Sequence, residues 1–215
     1  MREIAIPIGG GRLAALLHKP RGATAIVVVL HGTGVERHDA RNRRIVARLS
    51  AARFATLQPE LLDPREAVER HDAFDIELQC SRLLEVLAWL RSAPWARGLP
   101  LGLFASDIGA SVALLAAAKR PNEVGAVVLG DGRPDCCPSS LWQVRAATLL
   151  LVEQDGWPYR QVYESLRGEK EMRVLPDGAN LFGEPASVDA VAEHAARWFS
   201  RHLVRARPQA TPHAA

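Results

Sequence analysis

The chain has 215 residues, 48% hydrophobic and 24% charged, with a formal net charge of +3 and a sequence pI near 9.0. That is enough for one domain with a substantial core, and the composition is that of a globular protein rather than a fibrous, disordered or membrane-embedded one. Basic and acidic residues alternate, and no basic run is interleaved with aromatics, which argues against a nucleic-acid surface.

The opening "EIAIPIGGGRLAALLHKP" predicts two strands around the Gly9–Gly11 turn, closed by Pro20. It holds no apolar core of signal-peptide length. The longest apolar run, "AIVVVL" at 25–30, is a buried strand and far too short to cross a bilayer. The expectation is therefore a cytoplasmic protein with no membrane partner. A glycine-rich loop follows, then a helix over "DARNRRIVARLSAA" with Asp39 as its N-cap. "FATLQPELL" predicts a short strand. "DAFDIELQCSRLLEVLAWLRS" predicts a long amphipathic helix with Phe74, Leu78, Leu83, Leu84, Leu87 and Leu90 on its apolar face.

Next come a strand over "LPLGLF", a helix over "ASVALLAAAKR", a strand over "VGAVVLGDG" and a strand over "AATLLLVEQD". A helix near 158–167, a last strand over "EMRVLP" and a closing helix over "SVDAVAEHAARWFSRHLV" complete the domain. Apolar strands alternating with helices imply a mostly parallel sheet covered on both faces, in a single α/β domain over residues 1–204. The expectation for 205–215 is a disordered tail. Cys80, Cys136 and Cys137 form neither a disulfide framework nor a metal-ligand spacing, so no metal or other cofactor is implied.

In such a sheet ligands bind outside the carboxyl ends of the strands. The sharpest exit is "GLFASDIGASVAL" (102–114), a strand, a tight turn and a helix. A nucleophile elbow needs small residues two before and two after its apex, because strand and helix backbones approach closely there. Asp107 at the apex gives Ala105 and Gly109, which fit; Ser106 at the apex gives Phe104 and Ile108, which are too bulky.

Together, "HGTGVERHDARNR" (31–43), "FDIEL" (74–78), "GLFASDIGASVALLAAAKRP" (102–121), "GDGRPD" (130–135) and "PDGANLFGEP" (176–185) resemble the dienelactone hydrolase-like branch of the α/β-hydrolase superfamily. The resemblance runs from about residue 26 to residue 203 and implies an α/β-hydrolase fold without a large cap domain. It also implies a Ser or Cys nucleophile, an Asp and a His acting on ester or lactone carbonyls. Here Asp107 stands at the nucleophile position and Asn180, in "GANLF", at the histidine position. The acid position maps to Asp155, or with a one-residue slip to Gly156.

A serine nucleophile needs a base for attack and an acid for the leaving group. Without serine and histidine the conventional esterase route has no mechanism. A carboxylate, however, can attack carbon bearing a leaving group unaided, as the Asp-nucleophile members of the superfamily do. Hydrolysing the resulting ester then needs a base, and Asn180 cannot take a proton. His31 is one candidate for that base, and a loop-shaping residue on the other reading; His38 lies nearby in a loop that could equally face solvent, and His71, in "ERHDAFD", reads as an ordinary helix-start residue. Alternatively, Asp107 simply caps its helix. Backbone N–H groups of Ile108 and Thr33 correspond to the oxyanion hole, flanked by His31 and Gly32. Arg37, with Arg41, Arg43, Arg44 and Arg133, could meet an acidic substrate group or pair with Asp107 or Asp131.

Three readings stay open: chemistry by Asp107 on a small carbonyl-bearing or electrophilic molecule, a non-catalytic ligand- or partner-binding scaffold, and a lyase or isomerase with Asp107 as general base. The partner expected is a small molecule, and oligomeric state, a homodimer included, is left open.

Overall fold

A computed structural model of the chain describes residues 1–30, 39–63, 66, 75–130, 132, 134, 138–153, 157–175 and 181–204. The strands are β1 (Arg2–Ile8), β2 (Gly11–His18), β3 (Ala25–Leu30), β4 (Phe54–Pro59), β5 (Leu101–Ala105), β6 (Val124–Gly130), β7 (Ala147–Val152) and β8 (Lys170–Val174). They form one eight-stranded sheet in the order β1-β2-β4-β3-β5-β6-β7-β8. β1 and β2 are antiparallel additions at one side, and the strands from β4 to β8 run parallel. The central strands are buried on both faces, which is why they read as continuous apolar runs instead of alternating ones.

The helices are α1 (Ala40–Ala51), α2 (Ile76–Ser92), α3 (Gly109–Lys119), α4 (Trp157–Ser165) and α5 (Pro185–Leu203). Asp39 caps α1 as the sequence predicts, its carboxylate accepting from the Arg41 N–H at 2.7 Å. Two cores flank the sheet. Leu83, Val86, Leu87 and Leu90 of α2 pack with Val112 and Leu114 of α3 and Val162 of α4 on one face. Ile45 and Leu49 of α1 pack with Val191, Ala195 and Phe199 of α5 on the other. The Phe54 and Phe199 rings meet in a T-shaped contact, with centroids 6.2 Å apart.

The buried stripe of α2 differs from the predicted one. Gln79, Cys80 and Val86 are buried along it, while Leu78 and Leu84 are only half-buried. The helix packs against β1 on one side and α3 on the other, and those neighbours rather than leucine content set which face is covered. Burial pushes the Cys80 thiol up to about 11, keeping it protonated and inert. Phe74, Cys136, Cys137 and the tail 205–215 lie outside the described residues.

One ion pair fastens the approach to α2. The Arg82 guanidinium donates to both Glu66 oxygens, at 2.6 and 2.7 Å, and the Asp63 N–H adds a third bond to Glu66 at 2.8 Å. These bonds hold the Glu66 carboxyl at about 2, against an ordinary 4.5. Because the folded value is the lower one, this contribution is fully present above the unfolded value and is lost as pH falls from 4.5 toward 2. Urea titrations are therefore expected to give a gap between native and Glu66→Gln chains that is widest above about pH 5 and closes toward pH 2. A gap that does not change with pH would contradict this.

Candidate functional site

The parallel strands end together. Leu30 pairs with Ala105, Ala105 with Leu129, Gly130 with Leu151 and Val152 with Val174. All the exits singled out in the sequence therefore leave one edge of the sheet. The turn from β5 into α3 is the sharp element there. Asp107 has φ +52°, one of two non-glycine residues among those described that take positive φ. Its neighbours fit the register argument: Ala105 and Gly109 are buried in the approach of strand and helix, and Ser106 is half-buried. Left-handed backbone strains most L-residues and is tolerated best by asparagine and aspartate. Such outliers persist where the surroundings enforce them.

The capping role open to Asp107 is not taken up. α3 begins from Ile108, at the N-cap, with no side-chain cap bond, and the Asp107 carbonyl accepts from the Ala110 N–H at 3.1 Å. The carboxylate is exposed, and no ion pair or hydrogen bond reaches it from the described residues. Arg41 pairs with Asp39 at 2.9 Å, and Arg44 reaches across to Asp189 of α5 at 2.8 Å. Arg41 thus braces the cap of its own helix and Arg44 ties α1 to α5, so neither pairs with the elbow carboxylate. Ile108 is buried and follows the apex directly.

One contact joins the β6 exit to this turn, and three more tie the neighbouring exits and α4 together. Gly132, beyond β6, has φ +116° and packs its backbone on the elbow: a Cβ there would lie 2.4, 2.6 and 2.8 Å from the Asp107 O, N and Cα. The Tyr159 hydroxyl of α4 donates to the Gly132 carbonyl at 2.9 Å. Glu153, just past β7, accepts from the Leu181 N–H at 2.7 Å, and the Phe182 ring would touch a Cβ on Gly130 at 3.0 Å. The exits of β7 and β8 are thus tied to each other, and that of β8 packs against the end of β6. Sequence reading missed Gly132, Tyr159 and Glu153; of the three, only Gly132, inside "GDGRPD", lies in a stretch that carries the resemblance. Of the residues predicted for the site, Asp107 and Ile108 are described. His31, Gly32, Thr33, Arg37, His38, His71, Asp131, Arg133, Asp155 and Asn180 lie outside the described residues.

A mostly parallel sheet with helices on both faces and a strand–turn–helix apex at positive φ defines an α/β-hydrolase scaffold. The chain is 38% identical to a dienelactone hydrolase from Anabaena variabilis, matching 94% of this chain and 97% of that one with a TM-score of 0.89. It also superimposes on the esterase domain of a Rhodothermus marinus protein with a TM-score of 0.75, over 94% of this chain and 99% of the other. At 16% identity that likeness concerns the fold alone. Two curated Mycobacterium tuberculosis proteins, each named "putative phosphoribosyl transferase", are 40% identical over 205 residues, covering 94% of this chain and 46% of theirs. The chain spans about half the length of these curated relatives. No family model matches. The chain belongs to the dienelactone hydrolase-like family of α/β-hydrolases. Among the described residues, no helix is long and apolar enough to cross a membrane.

Proposed function

We propose that this chain does not perform Ser–His acyl transfer and that its elbow carboxylate, Asp107, serves a small electrophilic or carbonyl-bearing molecule at the strand exits. The observation that carries the reading is the residue at the apex: it keeps the strained elbow backbone, at φ +52°, yet its side chain is exposed, caps no helix and is paired with no described cation. An aspartate retained only for the turn has a capping role available to it, and this one does not fill that role.

In this reading the carboxylate attacks carbon bearing a leaving group. A C–O bond forms to Asp107 as the bond to the leaving group breaks, and no proton has to leave the nucleophile. The Ile108 and Thr33 N–H groups receive a carbonyl oxygen beside it, with His31, Gly32 and Arg37 around them. Asp155 and Asn180 arrange substrate or water, but Asn180 cannot accept a proton, so the ester on Asp107 is slow to clear. A second reading, a non-catalytic binding scaffold, draws on the same exposed carboxylate. Phosphoribosyl transfer is not proposed, since the chain matches 46% of the relatives that carry that name and its fold is that of the hydrolase.

The test is p-nitrophenyl ester hydrolysis by the native chain beside Asp107→Asn. Native turnover is expected within about tenfold of buffer, roughly four to six orders of magnitude below an intact triad. Turnover at ordinary esterase rates that survives in Asp107→Asn would overturn the proposal.

A further inference from the structure

The elbow backbone is held from outside its own strand and helix. Gly132 lies against Asp107 so closely that a Cβ would stand 2.4–2.8 Å from three of its backbone atoms. Gly132 is in turn fixed through its carbonyl, which accepts the Tyr159 hydroxyl at 2.9 Å. Tyr159 is anchored on α4, and its ring packs partly buried against the core shared by α2, α3 and α4. A continuous line of contact therefore runs from the α4 ring through one hydrogen bond to the Gly132 peptide and on to the strained peptide at residue 107.

We propose that Tyr159 is a positioning residue for the elbow: through Gly132 it keeps residue 107 at positive φ and its side chain beside the N-terminus of α3. The physical argument is one of over-determination. A non-glycine residue at φ +52° relaxes unless its neighbours forbid it. The peptide packed against it here is Gly132, which has no side chain to wedge it in place. Its own φ of +116° is accessible because it is glycine, and the same freedom lets it drift unless something outside the loop holds it. The phenol of Tyr159 is a hold of that kind. This deepens the reading of Asp107 as the functional group and rests on it for what the elbow does, while the geometry itself holds for any residue at the apex.

The experiment uses a reporter that does not depend on Asp107. Asp107→Cys is made in the full chain with Cys136→Ser and Cys137→Ser; Cys80 is buried and stays silent. Alkylation of the new thiol by iodoacetamide is followed by mass spectrometry from pH 5 to 10, with and without Tyr159→Phe. A thiol held at a helix N-terminus ionises below the ordinary value of about 8.5. The expected midpoint for the parent lies below about 8, and Tyr159→Phe moves it up by about one unit. Tyr163→Phe, on the same helix beneath the Lys170 ammonium, controls for general loosening of α4 and leaves the midpoint in place. Superimposable profiles for parent and Tyr159→Phe, or equal shifts for both tyrosine variants, would overturn the proposal.

A second readout needs no reporter. The Ala110 amide donates to the Asp107 carbonyl at 3.1 Å. Its hydrogen exchange in the otherwise native chain is expected to quicken about fivefold in Tyr159→Phe and not in Tyr163→Phe. An unchanged rate is the contrary result. Either readout can succeed or fail whether or not Asp107 reacts with a substrate, so failure of the positioning role and failure of the proposed function are told apart.

Discussion

Gly132→Ala is expected to destabilise the chain by about 2–5 kcal/mol and to dislodge the elbow. Two separate costs add. At φ +116° an L-side chain is strained whatever the surrounding space, at about 1–2 kcal/mol. The new methyl would then stand 2.4 Å from the Asp107 carbonyl oxygen and 2.6 Å from its nitrogen. Those atoms are backbone, so no side-chain rotation relieves the clash, and overpacking of this kind costs about 1–3 kcal/mol. Relief requires the β6 exit to move away from the β5 turn, which undoes the juxtaposition that the site needs. Urea unfolding measures the first effect and the φ of residue 107 in a crystal structure the second. A loss below about 1 kcal/mol with the turn unmoved would mean that the close approach of Gly132 is not structurally required.

The second large effect is a gain. Asp107→Ser/Asn180→His is expected to raise kcat/KM for p-nitrophenyl acetate at least about a hundredfold over the native chain, the lower end of what a positioned acid–base supplies. The elbow backbone is already built, at φ +52°, and the backbone N–H of Ile108, proposed as an oxyanion donor, does not depend on the side chain of residue 107. What the native sequence lacks on this account is a nucleophile with a removable proton and a base to remove it. Neither single variant should do this alone: a serine without a base is unactivated, and a histidine without a serine has no hydroxyl nucleophile to activate for acyl transfer. A double variant no faster than its singles would place the defect elsewhere, in the acid proposed at Asp155 or in the proposed oxyanion donors.

Much of this molecule is legible in its sequence. The continuous apolar runs "AIVVVL" and "TLLLV" can only be strands buried on both faces, and they are. Asp39 precedes an apolar-periodic segment and caps it. The apex at Asp107 follows from the sizes of Ala105 and Gly109, because steric crowding at a strand–helix turn is a local matter written in adjacent residues. What could not be read is long-range. Tyr159 meets Gly132 across 27 positions and Glu153 meets Leu181 across 28, with no periodicity to announce either pair. The covered face of α2 is long-range in the same sense, since β1 and α3 decide it. The pairing of charges around the turn was equally hidden: that Asp107 neither caps α3 nor pairs with Arg41 or Arg44 depends on where those partners point.

The central claim is that the elbow carboxylate is the reactive group, and covalent trapping tests it most directly. The native chain, Asp107→Asn and the urea-unfolded native chain are each incubated with small epoxides and α-halo carbonyl compounds, digested, and mapped by mass spectrometry. The account predicts an ester on Asp107 that accumulates toward one equivalent in the folded native chain, because no histidine at 180 clears it. That ester is released by hydroxylamine and is absent from both controls. An unmodified Asp107 in the folded chain across the panel, or equal labelling of folded and unfolded protein, would contradict it.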